Sequence, residues 1–77
     1  MSIPTMNSVS SSNIESIGYD AGEETVYVQF LNGSMYTYKG VPEHEYYNLS
    51  EATSLGSYLH RNYKNVYPSK KLRNPNG

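Results

Sequence analysis

Residues Thr25–Val41, TVYVQFLNGSMYTYKGV, decide the fold. Two runs, Thr25–Leu31 and Met35–Lys39, alternate at the two-residue period of a strand, and Asn32-Gly33 stands between them as a hairpin turn. A two-residue type I′ turn would pair Val28 with Thr37 and Phe30 with Met35, with Val26 opposite Lys39. A three-residue loop, with Gly33 left-handed in a bulge, instead pairs Phe30 with Ser34, Val28 with Tyr36 and Val26 with Tyr38. A one-residue slip exchanges the two faces of a strand. The bulged register gathers Val26, Val28, Phe30, Tyr36 and Tyr38 on one face and leaves Tyr27, Gln29, Leu31, Met35, Thr37 and Lys39 on the other. That is the cleaner separation of apolar from polar, and it is the register expected.

Working outward, Ile14–Tyr19 (IESIGY) reads as a preceding strand with Ile17 and Tyr19 on one side, and Gly18 marks a bulge or a close backbone approach. Asp20-Ala21-Gly22-Glu23-Glu24 is a turn into the hairpin. The three strands form an antiparallel meander, because no connection is long enough to make a pair parallel. After Val41 the period changes. Pro42 suits the first turn of a helix, Glu43 and Glu45 suit the positive end of its dipole, and Tyr46, Leu49 and Ala52 recur at helical spacing. Ser54 is an N-cap for a second helix from Leu55 to about Tyr67, ended by Pro68. Its apolar side is Leu55, Leu59, Tyr63 and Val66, and Ser57, Arg61 and Lys64 form the solvated stripe. The expected class is α+β: a three-stranded antiparallel meander followed by two helices packed on one face, β-β-β-α-α. The ordered domain is expected over residues 13–68. Residues 1–12 form a flexible N-terminal segment and residues 69–77 a flexible basic tail.

Within this frame the composition bears on function. The chain of 77 residues has nine Tyr, one Phe and no Trp, so its core rings carry hydroxyls that need partners or water. It has no Cys, and hence neither a disulfide nor a Cys-based zinc site to staple a small core. Tight packing or self-association must supply the margin, and a homodimer is one expectation. No run approaches the ~20 apolar residues of a membrane span. The start lacks the charged and apolar runs of a signal peptide, so the chain is expected to be cytoplasmic. The sequons at Asn32-Gly33-Ser34 and Asn48-Leu49-Ser50 are then read as chance. Charge is unevenly distributed. Residues 1–60 carry seven acids against Lys39, a sum of −6, whereas Arg61, Lys64, Lys70, Lys71 and Arg73 give residues 61–77 +5. Such asymmetry marks either a solubilising end lying over its own acidic half or a tail for an anionic partner.

At the level of whole-chain pattern, the run Ser11–Leu72 resembles the KTSC domain, a module named for its occurrence at the C-terminus of some lysyl-tRNA synthetases and found also in short bacterial and phage proteins. The matching residues are Ser11-Ser12, Ile17-Gly18-Tyr19-Asp20, Val28-x-Phe30-x-x-Gly33-x-x-Tyr36-x-Tyr38, Val41-Pro42, Tyr46-x-x-Leu49, Ser54-x-Gly56-x-Tyr58 and Tyr67. The chain departs from the family pattern at His60, where Asn is usual, and at Tyr63, where an aliphatic residue is usual. The resemblance implies a non-enzymatic domain, and its place on a synthetase suggests contact with RNA.

The chemistry-bearing residues agree with a non-catalytic reading. Ser57 and His60 are neighbours on one helix, but no carboxylate follows residue 51 to orient the histidine. His44 and His60 are two imidazoles on separate helices with no Cys, so no metal or other cofactor is expected. Gly56 weakens a helix start by about 1 kcal/mol. Close approach of the helix to the sheet or to tyrosine side chains accounts for it most simply. The functional alternative is an anion site of N–H groups flanked by Ser54 and Ser57, with Tyr58 for stacking and Arg61 and Lys64 further along. The expected function is binding of RNA or a nucleotide through Ser54, Gly56, Ser57, Tyr58, Arg61, Lys64, Lys70 and Lys71. The alternative is a protein-interaction module, an adaptor or small inhibitor, that binds through an exposed outer sheet group, Tyr27, Leu31 and Met35. Tyr47, Tyr58 and Tyr67 are the other tyrosines expected to be partly exposed.

Overall fold

In the computed structural model, which describes residues 4–73, the hairpin forms as β3 (Thr25–Phe30) and β4 (Met35–Lys39). Its pairs are Val26 with Tyr38, Tyr27 with Thr37, Val28 with Tyr36 and Gln29 with Met35. The Phe30 N–H donates to the Ser34 carbonyl at 2.8 Å, and Gly33 holds φ 95°. The bulged register is therefore the one adopted, for the reason given: it alone puts the valines and two tyrosines together on one face.

Before the hairpin, β2 (Ile14–Asp20) pairs with β3 through Ile17–Val28 and Tyr19–Val26. Gly18 marks a close approach: a Cβ there would lie 2.8 Å from the Thr5 carbonyl oxygen and 2.7 Å from Met6 Sδ. The bulge lies two to four residues earlier, between Ile14 and Ser16.

The three-stranded expectation is too small. A short β1 (Asn7–Ser8) pairs with β2, and β5 (Ser69–Arg73) returns after the helices to pair with β4. The sheet is five-stranded and antiparallel throughout, in the order β1-β2-β3-β4-β5. It takes in part of both end segments read as tails; residues 1–3 and 74–77 of those segments lie outside the described residues.

Two eight-residue helices cover the inner sheet face: α1 (Glu43–Ser50) and α2 (Leu55–Asn62). Gly40, at φ 78°, turns the chain out of β4, and Pro42 stands at the N-cap of α1 rather than inside its first turn. Ser54 caps α2 as expected, its Oγ accepting from the Ser57 N–H at 3.4 Å. Helix α2 stops at Asn62, well before Pro68. The Lys64 N–H still bonds back to the Leu59 carbonyl, but Asn65 adopts a left-handed φ of 67° that no helix continues. Val66, expected on the apolar side, is accordingly 60% exposed.

The core joins Ile14, Ile17, Val26, Val28 and Tyr38 of the sheet to Val41, Leu49, Leu55, Leu59 and Tyr63. The tyrosine hydroxyls are placed as a Tyr-rich core requires. Tyr63 donates to the Glu45 carbonyl at 3.1 Å and Tyr19 to the Val41 carbonyl at 2.6 Å. Among the described residues no buried side-chain N or O lacks a hydrogen-bond partner. Among them, too, no helix is long and apolar enough to cross a membrane.

Candidate functional site

The start of α2 packs against the loop that leads into β2, and a cleft of about 430 Å³ opens beside that contact. Its lining joins Ser10–Asn13 on one side to Thr53–Ser57, His60 and Arg61 on the other. The loop is braced from within. Ser11 Oγ accepts from the Ile14 N–H at 3.3 Å and donates to Asn13 Oδ1 at 3.2 Å. Gly56 permits the approach: a Cβ there would stand 3.0 Å from Asn13 Oδ1. The close approach is thus to the loop before β2 rather than to the sheet or a tyrosine ring, and two polar segments about 40 residues apart in sequence meet at the cleft.

Two further depressions continue the cleft. Asn13, Gly56 and His60 also line one of about 190 Å³ with Phe30, Tyr38, Leu59 and Lys64. Phe30 and Tyr38 in turn line one of about 260 Å³ with Asn32, Ser34 and Tyr36. Together they form a trough that runs from the cap of α2 to the turn end of the hairpin. At that end the Phe30 and Tyr36 rings meet edge to face, centroids 5.6 Å apart, and Lys71 Nζ stands 5.6 Å from the Tyr36 centroid. No aspartate or glutamate lines any of the three parts.

The fold sorts the residues singled out in the sequence. Ser54, Gly56, Ser57 and Arg61 line one cleft, Lys64 lines the adjoining part, and Lys71 reaches the far end. Tyr58 does not join them. It turns toward α1, where its hydroxyl donates to the Glu45 carboxylate and its ring packs at 6.3 Å from that of Tyr63. That hydrogen bond, with burial, pushes the Tyr58 pKa up. Lys70 is separated as well, because neighbouring residues on a strand face opposite ways. It pairs with Thr37 and lines a groove on the outer face with Tyr27 and Lys39. Ser57 and His60 do share the cleft, without a carboxylate in its lining.

The outer apolar group is corrected too. Tyr27 and Met35 lie on the outer face but are only 8% and 3% exposed, so of the three residues Leu31 alone, at 58%, is open to solvent. Pro4 and Met6 stand over Gly18, the cross-strand partner of Tyr27, and Leu72 flanks Tyr27 from β5. The added edge segments are thus what the exposure argument lacked. Tyr47 is exposed as expected, and Tyr58 and Tyr67 are half-buried. The site residues missed in the sequence are Ser10–Asn13, His60 and the rings of Phe30 and Tyr36. The Ser11-Ser12 pair was visible as a pattern, but nothing local tied it to α2.

Fold and site together describe a small α+β module built on one antiparallel meander, with both helices on one face. The chain belongs to the KTSC domain family, whose profile matches residues 10–67. It is similar to the crystal structure of a KTSC domain protein from Yersinia pestis, with a TM-score of 0.83 and 36% identity, covering 90% of this chain and 97% of that one. It is also 37% identical over 54 residues to an uncharacterised protein of Stutzerimonas stutzeri (strain A1501), covering 70% of this chain and 76% of the relative.

Proposed function

We propose that this KTSC domain is a non-catalytic cytoplasmic module that binds RNA through the trough between α2, the Ser10–Asn13 loop and the hairpin. The observation that carries the reading is the trough's lining: Arg61, Lys64, serine hydroxyls and aromatic rings, with no acid among them. A phosphodiester chain needs that combination, because cations and N–H or O–H donors meet its phosphates while rings receive its bases. A net charge of −1 does not oppose this, since no acid lines the trough while Arg61 and Lys64 do.

The test is titration of a labelled single-stranded RNA at two salt concentrations. If Arg61, Lys64 and Lys71 each meet a phosphate, affinity falls roughly twentyfold between 50 and 200 mM salt. Arg61→Glu with Lys64→Glu removes most of the binding and flattens the salt dependence. Salt-insensitive binding, or none by the wild-type chain, would overturn the reading.

A further inference from the structure

The sequence assigns Phe30, Tyr36 and Tyr38 to the core, yet only Tyr38 is buried among them. Phe30 and Tyr36 are half-buried and pack against the core from its edge. They form one side of the 260 Å³ depression, which Phe30 and Tyr38 join to the passage lined by Lys64 and His60. From the opposite edge of the sheet, Lys71 brings a cation over Tyr36. A partly open pair of perpendicular rings, with a cation on one of them, is more than packing needs. It offers a π-surface beside a positive charge at the end of an acid-free channel.

We infer that Phe30, with the perpendicular Tyr36 ring as a side wall, forms a base-stacking platform and that the ligand is a single strand of at least two nucleotides. Its sugar-phosphate chain passes Arg61 and Lys64, and one base rests in the hairpin depression, with Asn32 and Ser34 at the rim. This rests on the reading above and narrows it in two ways. A duplex holds its bases inside the stack and cannot deliver one to the platform. A mononucleotide cannot occupy the phosphate end and the platform together. Stacking on a ring accepts any base, so discrimination among sequences at this position is weak.

Phe30 is the only phenylalanine in the chain, so its ring proton signals are a unique NMR probe. The experiment titrates wild-type protein with a mixed-sequence RNA octamer, the DNA octamer of the same sequence, the RNA duplex and a mononucleotide. The Phe30 ring signals are expected to move upfield with either single strand, to stay in place with the duplex, and to move with the mononucleotide only at far higher concentration. The DNA strand shares the bases, so equal binding by DNA supports the platform and names single-stranded nucleic acid as the ligand class. Phe30→Leu and Tyr36→Leu keep apolar volume and remove the ring, and each should weaken the octamer about tenfold. Thermal melts identify any variant that fails to fold, and in that case the Phe30 signals of the wild-type protein carry the test alone. Failure of every nucleic acid to bind would sink the RNA reading itself. Salt-dependent, Arg61-dependent binding with an unmoved Phe30 signal, or a duplex that binds as tightly as the single strand, would overturn the platform and leave that reading standing.

Discussion

The two helices have the same length and lie on the same face of the same sheet, but they use their side chains in opposite ways. In α1 the contacts run to the rest of the fold, although only Leu49 is buried outright. Leu49 is fully buried, Tyr46 stacks on Tyr19 with centroids 5.1 Å apart, and Glu43 accepts a hydrogen bond from the Tyr47 hydroxyl. Glu45 receives the Tyr58 hydroxyl with its carboxylate and the Tyr63 hydroxyl with its carbonyl. In α2, Leu55, Leu59 and Tyr58 face inward, whereas Gly56, Ser57, His60 and Arg61 line the trough. Both helices feed the core, and α2 alone also lines the trough. The difference lies in composition: α1 opens on two glutamates that tyrosines can reach, and α2 has no acid at all.

The contrast breaks most severely at Tyr63, the ring that ties the two helices together. It is fully buried, meets Tyr38 edge to face at 5.5 Å and lies within 6.3 Å of Tyr58. Tyr63→Ala removes a large buried ring from a small core and is expected to cost about 3–5 kcal/mol, read by urea unfolding. A loss under about 1 kcal/mol would mean that the helices do not depend on this contact.

Charge reversal on each helix sharpens the contrast next. Arg61→Glu with Lys64→Glu should weaken single-stranded RNA at least tenfold. The matched reversal on α1, Glu43→Lys with Glu51→Lys, should leave affinity within about twofold, because neither residue lines the trough. A gain from the α1 pair as large as the loss from the α2 pair would show that net charge alone governs binding.

What was legible in the sequence follows the range of the interactions. The hairpin register is local: Asn32-Gly33 and five alternating apolar positions decide it within 17 residues. The cap at Ser54 and the cluster Ser54, Gly56, Ser57 and Arg61 are local as well, and the structure keeps them together. The edge strands were not legible. A two-residue strand has no period to detect, and SKKLR carries the lysines with which sheets blunt their edges, so it reads as a tail. The end of α2 was misread because Tyr63 continues the apolar spacing as its C-cap while the stop comes from backbone at Asn65. The other wall of the cleft was invisible for the same reason in reverse: Ser11 and Gly56 become neighbours only after β2 joins the sheet.

A smaller effect tests whether α1 holds α2 through Glu45. Glu45→Gln keeps an acceptor for the Tyr58 hydroxyl but removes its charge. The expected loss is about 1 kcal/mol by thermal or urea unfolding, with the trough unaffected. A change in RNA affinity without a change in stability would place Glu45 in the binding surface and blur the division between the helices.

The finest test is the Tyr63 hydroxyl alone. At neutral pH, Tyr63→Phe keeps the ring and loses one hydrogen bond to the Glu45 carbonyl, so it should cost about 1 kcal/mol. Burial, reinforced by the nearby Glu45, raises the Tyr63 pKa above its ordinary value of 10.0. Above pH 10 the unfolded chain therefore releases the Tyr63 proton while the folded chain keeps it. The folded state then binds more protons than the unfolded one, and stability falls as pH rises. Below pH 10 the group is protonated in both states and contributes no slope. The phenylalanine variant lacks this group, and the other tyrosines titrate in both proteins and cancel in the difference. Wild type should thus lose its advantage by up to about 1.4 kcal/mol per pH unit above 10, and the two stabilities should meet near pH 11. Stability curves that stay parallel from pH 9 to 11.5 would mean that Tyr63 ionises as readily in the folded chain as in the unfolded one, and that the joint between the helices is open to water.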